Sequence, residues 1–391
     1  MNIFTFQIKG DKVIWAVVVL LSLISTLVVY SSTGTLAYKY QSGNTEYYLI
    51  KHVFTLVFGL LLMMFVHNIP YKYFSRFSQL SVIIAIPLLL YTLAKGSNLN
   101  EASRWIQLPV INLTFQTSDF AKLALIAFTA RILSKKQEEL ANPQKGVMLI
   151  LAPIVVVCVL ILPANFSTAA VLFTSCFVLM FAGRVYIKHL LATMGIMLAG
   201  LLLLLLIGKT APKVFPRFGT WIKRVENFSG GDKTGKGNFQ VEQSKIAIAT
   251  GGIIGKGPGK SIQRNFLPHP YSDFIFSIII EEYGFIMGFF ILLLYSILLF
   301  RGLRIANHAD STFGSLLAFG IAFGLVFQAC VNMAVAVNLF PVTGQPLPLL
   351  SMGGTSIWFT SISIGMILSV SREQEENTAQ KNAAEEGLQY A

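Results

Sequence analysis

The chain has 391 residues, a formal net charge of +12, 54% hydrophobic residues and only 12% charged ones. A soluble domain averages about 25% charged residues, so this sequence cannot furnish a soluble surface, and lipid must be the solvent for most of it. Unbroken apolar runs such as 147–162 and 190–207 exclude an outer-membrane barrel, whose strands alternate over about ten residues.

These runs predict an all-α integral membrane fold, a polytopic bundle of about ten transmembrane helices. Taken in order, the spans are 13–33, 49–66, 78–95, 116–134, 146–163, 166–183, 186–207, 273–299, 312–337 and 349–370. The first follows Lys9 and Lys12 and lacks a small-residue cleavage site, so it reads as a retained helix. A tight turn at Pro163-Ala164-Asn165 joins the fifth and sixth. Cys158, Cys176 and Cys330 all lie in apolar runs and read as small buried hydrophobes.

One set of span ends holds Lys9, Lys12, Lys72, Arg76, Lys135, Lys136, Lys145, Arg184, Lys188, Arg301, Arg304 and Arg372. The opposite short loops hold chiefly Lys39, Lys51, Lys95 and Arg104. The positive-inside rule then places both termini in the cytoplasm. Residues 1–371 form one transmembrane domain, with 208–272 as a long periplasmic loop. The tail 372–391 is acidic, poor in apolar residues and expected to be disordered. The long loop carries eleven Lys/Arg against Glu226, Asp232 and Glu242. It is either a solvated basic loop or a binding surface for an anion.

Four polar clusters flank the spans, where ionisable groups are costly and functional by default. The richest runs from Gly255-Lys256-Gly257-Pro258-Gly259-Lys260-Ser261 through Gln263-Arg264-Asn265-Phe266-Leu267-Pro268 to Ser272-Asp273-Phe274, Glu281 and Glu282. Its glycines permit backbone amides to approach a phosphate and its lysines add charge. The spacing fits neither a Walker A loop nor a dinucleotide fingerprint. Asp273 stands at the outer mouth of the eighth span, as a base for a substrate hydroxyl or as a helix cap. Glu281, eight residues on, lies about 12 Å deeper and about 80° round the helix. It can share a cavity with Asp273, whereas Glu282 faces away, toward a neighbouring helix.

The run from Asn338 to Ser356 contains Thr343 and Ser351 among three prolines and three glycines. No regular helix fits it, and its apolar filling predicts a structured, re-entrant loop. Arg104-Trp105 and Gln116-Thr117-Ser118-Asp119-Phe120-Ala121-Lys122 form the third cluster. Asp119 and Lys122 share a helical face, as a neutralising buried pair or as a cavity in which Lys122 meets a phosphate. In the fourth, Asn165 is expected to cap the sixth span.

Together these stretches resemble the signatures of the bacterial cell-wall glycosyltransferases of the FtsW/RodA (SEDS) family. Pro341-Val342-Thr343-Gly344, Pro346-Leu347-Pro348 and Ser351-Met352-Gly353-Gly354 are similar to its late loop. Ser272-Asp273-Phe274-Ile275-Phe276 with Glu281-Glu282-Tyr283-Gly284, Arg104-Trp105 and 116–122 are similar to its other motifs. The run 255–268 looks closer to the division member than to the elongation member. The chain departs from the pattern at Asp119 (usually Glu), Asn165 (Asp), His269 (Glu) and Tyr271 (His), so the negative charge at 165 is absent.

The resemblance implies polymerisation of lipid II at the bacterial inner membrane during division. The acceptor 4-hydroxyl would attack the donor anomeric carbon and release undecaprenyl diphosphate. Asp273 is then the base and Lys122, held by Asp119, a cavity cation. Arg224, Lys256, Lys260 and Arg264 become candidate diphosphate contacts. Arg104, Glu281, Thr343 and Ser351 join the substrate-binding set. A divalent cation such as Mg²⁺ could bridge the phosphates, though the sequence shows no dedicated metal site. The expected partners are lipid II, a class B penicillin-binding transpeptidase and other divisome membrane proteins, with no nucleic acid. The rivals are a lipid II flippase, which needs no base, a secondary transporter, and a non-catalytic scaffold. A transporter fold often shows internal repeats, and none is evident between the halves here.

Overall fold

The structure is a computed structural model and describes residues 9–99, 102–108, 113–137, 146–210, 219, 221–222, 224, 228 and 236–389. Ten long helices occupy the ten expected spans. They are α1 (Lys12–Ser32), α3 (Thr45–Asn68), α4 (Tyr71–Lys95), α5 (Thr117–Lys135), α6 (Gly146–Ile161), α7 (Phe166–Ala182), α8 (Ile187–Thr210), α10 (Ile275–His308), α11 (Thr312–Ala336) and α12 (Thr355–Gln389). Among the described residues, two further helices, α2 (Gly34–Tyr40) and α9 (Lys236–Gly251), lie in connections. Among the described residues, α1, α3, α4, α10 and α11 are each long and apolar enough to cross a bilayer. The protein is a multi-pass membrane protein.

The helix termini follow from local chemistry. Asp11 caps α1: one carboxylate oxygen accepts from the backbone of Val13 and Ile14, while the other meets Arg301 of α10 at 2.6 Å. Asn165 caps α7 by accepting from the Thr168 backbone, as its position predicts. Small residues set the helix spacing. A side chain at Gly59 of α3 would press on Ser361 of α12, and one at Gly365 on the Met63 backbone. These two helices therefore approach as small-residue pairs do in lipid. Helix α11 lies at the centre, against α10, α5, α7 and α12.

Two features differ from the sequence expectation. The stretch before α5 is not a simple loop but a three-stranded antiparallel sheet, β1 (Ser97–Leu99), β2 (Ala102–Leu108) and β3 (Leu113–Gln116). Trp105 pairs with Gln116 and Leu108 with Leu113. Trp, Ile, Thr and Phe favour such extended backbone, and the stretch is too short to span lipid. The tail, expected to be disordered, continues α12 as helix to Gln389. A helix already nucleated in the bundle needs only propagation, and the Ala-, Glu- and Gln-rich tail propagates well. Lys72–Glu373 at 2.8 Å and Lys9–Glu376 at 3.1 Å fasten its first turns.

The glycine-rich run receives a different explanation from phosphate binding. Helix α10 breaks at Gly284, whose φ of 78° and ψ of 178° are open to glycine alone. The break frees backbone groups that lipid cannot satisfy. Segment 252–257 takes them up: Lys256 and Gly257 donate to the carbonyls of Glu281 and Glu282, each at 2.9 Å, and Phe285 donates to Gly252 at 2.9 Å. A side chain at Gly255 would overlap the Glu282 carbonyl, and one at Gly251 the Ile280 carbonyl. These glycines bring backbone against backbone, so the amides of Lys256 and Gly257 are already committed.

Candidate active site

Asp273 sits in the turn before α10, partly buried, and does not cap it. The cap position is Phe274, with no side-chain capping bond. Its carboxylate accepts from the Ser272 hydroxyl at 2.9 Å and lines a cavity of about 420 Å³. The cavity wall includes Tyr48, Lys51, His52, Trp105, Gln116, His269, Tyr271, Gly344 and Gly353. Burial and the Asp273 carboxylate push the Tyr271 phenol up to about 12, so Tyr271 remains a protonated donor beside the acid.

The late loop holds Asp273 in place. Asn332 of α11 donates to the carbonyls of Asp273 at 2.9 Å and Gln345 at 2.6 Å. Ser351 donates to the Ser272 carbonyl at 2.6 Å and accepts from the Leu347 amide at 2.8 Å. Met352 donates to the Tyr271 carbonyl, and Tyr295 donates to the Pro348 carbonyl at 2.5 Å. Thr343, Gln345, Leu347, Leu349, Leu350 and Ser351 are buried, the state in which non-helical backbone survives at membrane depth.

The other expected site residues fall in distinct places. Arg224 donates to the Val342 carbonyl at 2.9 Å and is close enough for its charge to interact with Asp273. Burial pulls its guanidinium down from the usual range and the Asp273 charge opposes that shift. Lys122 is bound to Asp119 at 2.7 Å and to Gln328 at 3.0 Å. That pair lines a separate pocket of about 50 Å³ among α5, α7, α11 and α12. Gln328 in turn donates to the Pro346 carbonyl, so Lys122 reaches the late loop through one side chain.

Glu281 does not line the Asp273 cavity. It is wholly buried and accepts from Lys256 at 2.7 Å, Ser261 at 2.5 Å and the amides of Ile262 and Gln263. Its loss of solvent is offset by folding the loop round it, which Cβ geometry along one helix could not reveal. Lys256 is thereby engaged. Arg264 donates to the Ser31 carbonyl of α1 at 2.7 Å. Glu282 accepts from the Ser31 hydroxyl, the neighbouring-helix role its facing predicts. Lys260 is exposed. Arg104 lies in β2, its side chain outside the described residues, as is most of 211–235.

Sequence reasoning missed Tyr48, Lys51, His52 and Thr55. They lie at i, i+3, i+4 and i+7 of α3 and all line the Asp273 cavity. That spacing puts one polar stripe on an otherwise apolar span, a signal present in the sequence.

A family model described as a cell cycle protein, FtsW/RodA/SpoVE, matches residues 11–376. The chain belongs to this family. Stage V sporulation protein E of Bacillus subtilis (strain 168) is 34% identical over 372 residues, covering 94% of this chain and 98% of its own length. The probable peptidoglycan glycosyltransferase FtsW of Hydrogenovibrio crunogenus is 32% identical, covering 96% and 94%. Two solved structures share the FtsW/RodA/SpoVE fold with this chain, each 24% identical over 94% of it. One, described as "Structural coordination of polymerization and crosslinking by a peptidoglycan synthase complex", has a TM-score of 0.73 over 99% of that chain. The other, the rod shape determining protein RodA of Thermus thermophilus, has a TM-score of 0.62 over 98%.

Proposed function

We propose that this chain is a peptidoglycan glycosyltransferase that polymerises lipid II, with Asp273 as the general base. The observation that carries the reading is a carboxylate not spent on helix capping, held at the wall of a 420 Å³ cavity among Tyr48, Trp105 and Tyr271. Relatives at 32% identity over nearly the whole chain carry the name peptidoglycan glycosyltransferase.

In the reaction, the acceptor 4-hydroxyl oxygen bonds to the donor anomeric carbon as the bond to the diphosphate oxygen breaks. The hydroxyl proton passes to Asp273 and the electron pair leaves with undecaprenyl diphosphate. Among the described residues, Lys51 lines the cavity and Arg224 interacts with the Asp273 charge, so both balance the departing charge. Lys260 joins them from the exposed side of the loop, while Lys256 and Arg264 act by fixing that loop. Lys122 with Asp119 supports the late loop through Gln328. Ser351 acts by tying the late loop to the Ser272 carbonyl, and Thr343 and Arg104 complete the substrate set. The cavity offers Asp273 as its carboxylate, a set that fits a divalent ion only when substrate phosphates complete the coordination. Such an ion would supply charge neutralisation at the diphosphate.

The same reading makes 1–371 the catalytic membrane domain, seated in the bacterial inner membrane with both termini cytoplasmic. It assigns the chain a class B penicillin-binding transpeptidase and other divisome membrane proteins as partners, in a division role. The test uses purified full-length chain in detergent with labelled lipid II. Wild type is expected to make glycan polymer, and Asp273→Asn to insert and fold but polymerise about 10²–10⁴-fold more slowly. Near-normal polymer from Asp273→Asn would remove it as the base. Lipid movement across liposomes without polymer would favour a flippase.

A further inference from the structure

The stripe on α3 carries a buried hydrogen-bonding atom that the protein leaves unused. His52 is 1% exposed and lines the Asp273 cavity. One ring nitrogen, Nε2, lies 2.8 Å from the Ser25 hydroxyl of α1. Ser25 also lies 2.8 Å from the carbonyl oxygen of Leu350 in the late loop. A carbonyl can only accept, so the single Ser25 proton points to Leu350. Ser25 must therefore accept from His52, which puts the imidazole proton on Nε2. The other nitrogen, Nδ1, is then a lone-pair acceptor, and it has no hydrogen-bond partner among the described residues. Ser25 and Leu350 fix the ring, so this acceptor is oriented before anything binds.

Resting on the reading of the cavity as a saccharide site, we infer that His52 is a substrate-binding residue whose Nδ1 accepts a hydrogen bond from a neutral O–H or N–H of the bound sugar. A buried acceptor without a partner is unfavourable until a donor reaches it, and a hydroxyl or acetamido group is the donor that a saccharide presents. Tyr48 and Tyr271, on the same wall, offer apolar ring faces with polar tips, a combination suited to a sugar. Lys51 stands one residue away at the exposed side, so charge recognition and neutral recognition fall on neighbouring positions of one helix.

The tie to Ser25 gives His52 a structural function as well, and two variants separate the roles. Gln reaches far enough to keep the donation to Ser25 but loses the acceptor at Nδ1. Asn keeps a polar atom near Nδ1 but lets go of Ser25. Binding of fluorescent lipid II is measured with full-length chain in nanodiscs, in an Asp273→Asn background that consumes it about 10²–10⁴-fold more slowly, alongside thermal melting. His52→Gln is expected to melt as the parent does and to bind roughly five- to tenfold more weakly. His52→Asn is expected to melt lower yet bind within about twofold of the parent. Parent-like binding by His52→Gln, or an equal loss in both variants, overturns the inference and leaves the reading of Asp273 as the base standing. Failure of the parent itself to bind lipid II overturns the reading of the cavity, and this inference with it.

Discussion

Two acids eight residues apart on one segment have opposite fates. Asp273 keeps an accessible carboxylate because the α10 cap position falls on Phe274. Glu281 is enclosed and saturated by Lys256, Ser261 and two backbone amides. Removing Glu281 leaves those amides and Lys256 without their acceptor. Glu281→Ala is expected to lower stability by about 3 kcal/mol, read by thermal melting in detergent. Glu281→Gln, which retains an acceptor oxygen, should lose about 1 kcal/mol. A raised KM for lipid II in Glu281→Gln with an unchanged melting temperature would instead put Glu281 on the substrate. Helical geometry alone placed both acids on adjoining faces. It could not show that the loop from 252 to 268 folds round Glu281, because that loop is shaped by the break in α10.

At the scale of elements, that break is the decisive irregularity. Gly284 leaves the helical conformation, and segment 252–257 takes the place of the missing intrahelical bonds. A side chain at Gly284 would overlap the Ile253 carbonyl, and the backbone conformation there is strained for any residue with a Cβ. Gly284→Ala is expected to cost more than about 3 kcal/mol, seen as loss of monodisperse protein on gel filtration. Wild-type yield and melting for this variant would show that the loop tolerates displacement. The spans themselves were legible, since each must present a long apolar run to lipid. The sheet 97–116 was not, because its strands are short and its stability comes from pairing across turns. The α3 stripe was legible in principle: its four polar positions recur with helical spacing, but only the fold reveals that they face Asp273 and not lipid.

For the whole molecule, contacts at the end of the bundle that holds both termini tie the start of the chain and α4 to α10 and α12. Asp11 binds Arg301, Lys9 binds Glu376, Lys72 binds Glu373, and Arg372 donates to the Asn68 carbonyl. The last helix then extends past these contacts into exposed residues. Deleting 379–391 is expected to leave melting and polymerisation unchanged. Deleting 372–391 removes the tail's pairs, each contributing about 1 kcal/mol or less, and should lower the melting temperature by a few degrees. A large activity loss in the shorter deletion would give the exposed helix a role beyond packing.

The amino-acid order by itself determined the solvent, the number of spans and the motifs that carry the family likeness, because lipid imposes its demands locally, on every run of twenty or so residues. Only the tertiary structure decided which polar groups meet. The Asp273 cavity draws on α3, on β2 and β3, on the turn before α10 and on the late loop. Their separation in the chain is closed by helix packing, and local periodicity contains no term for that.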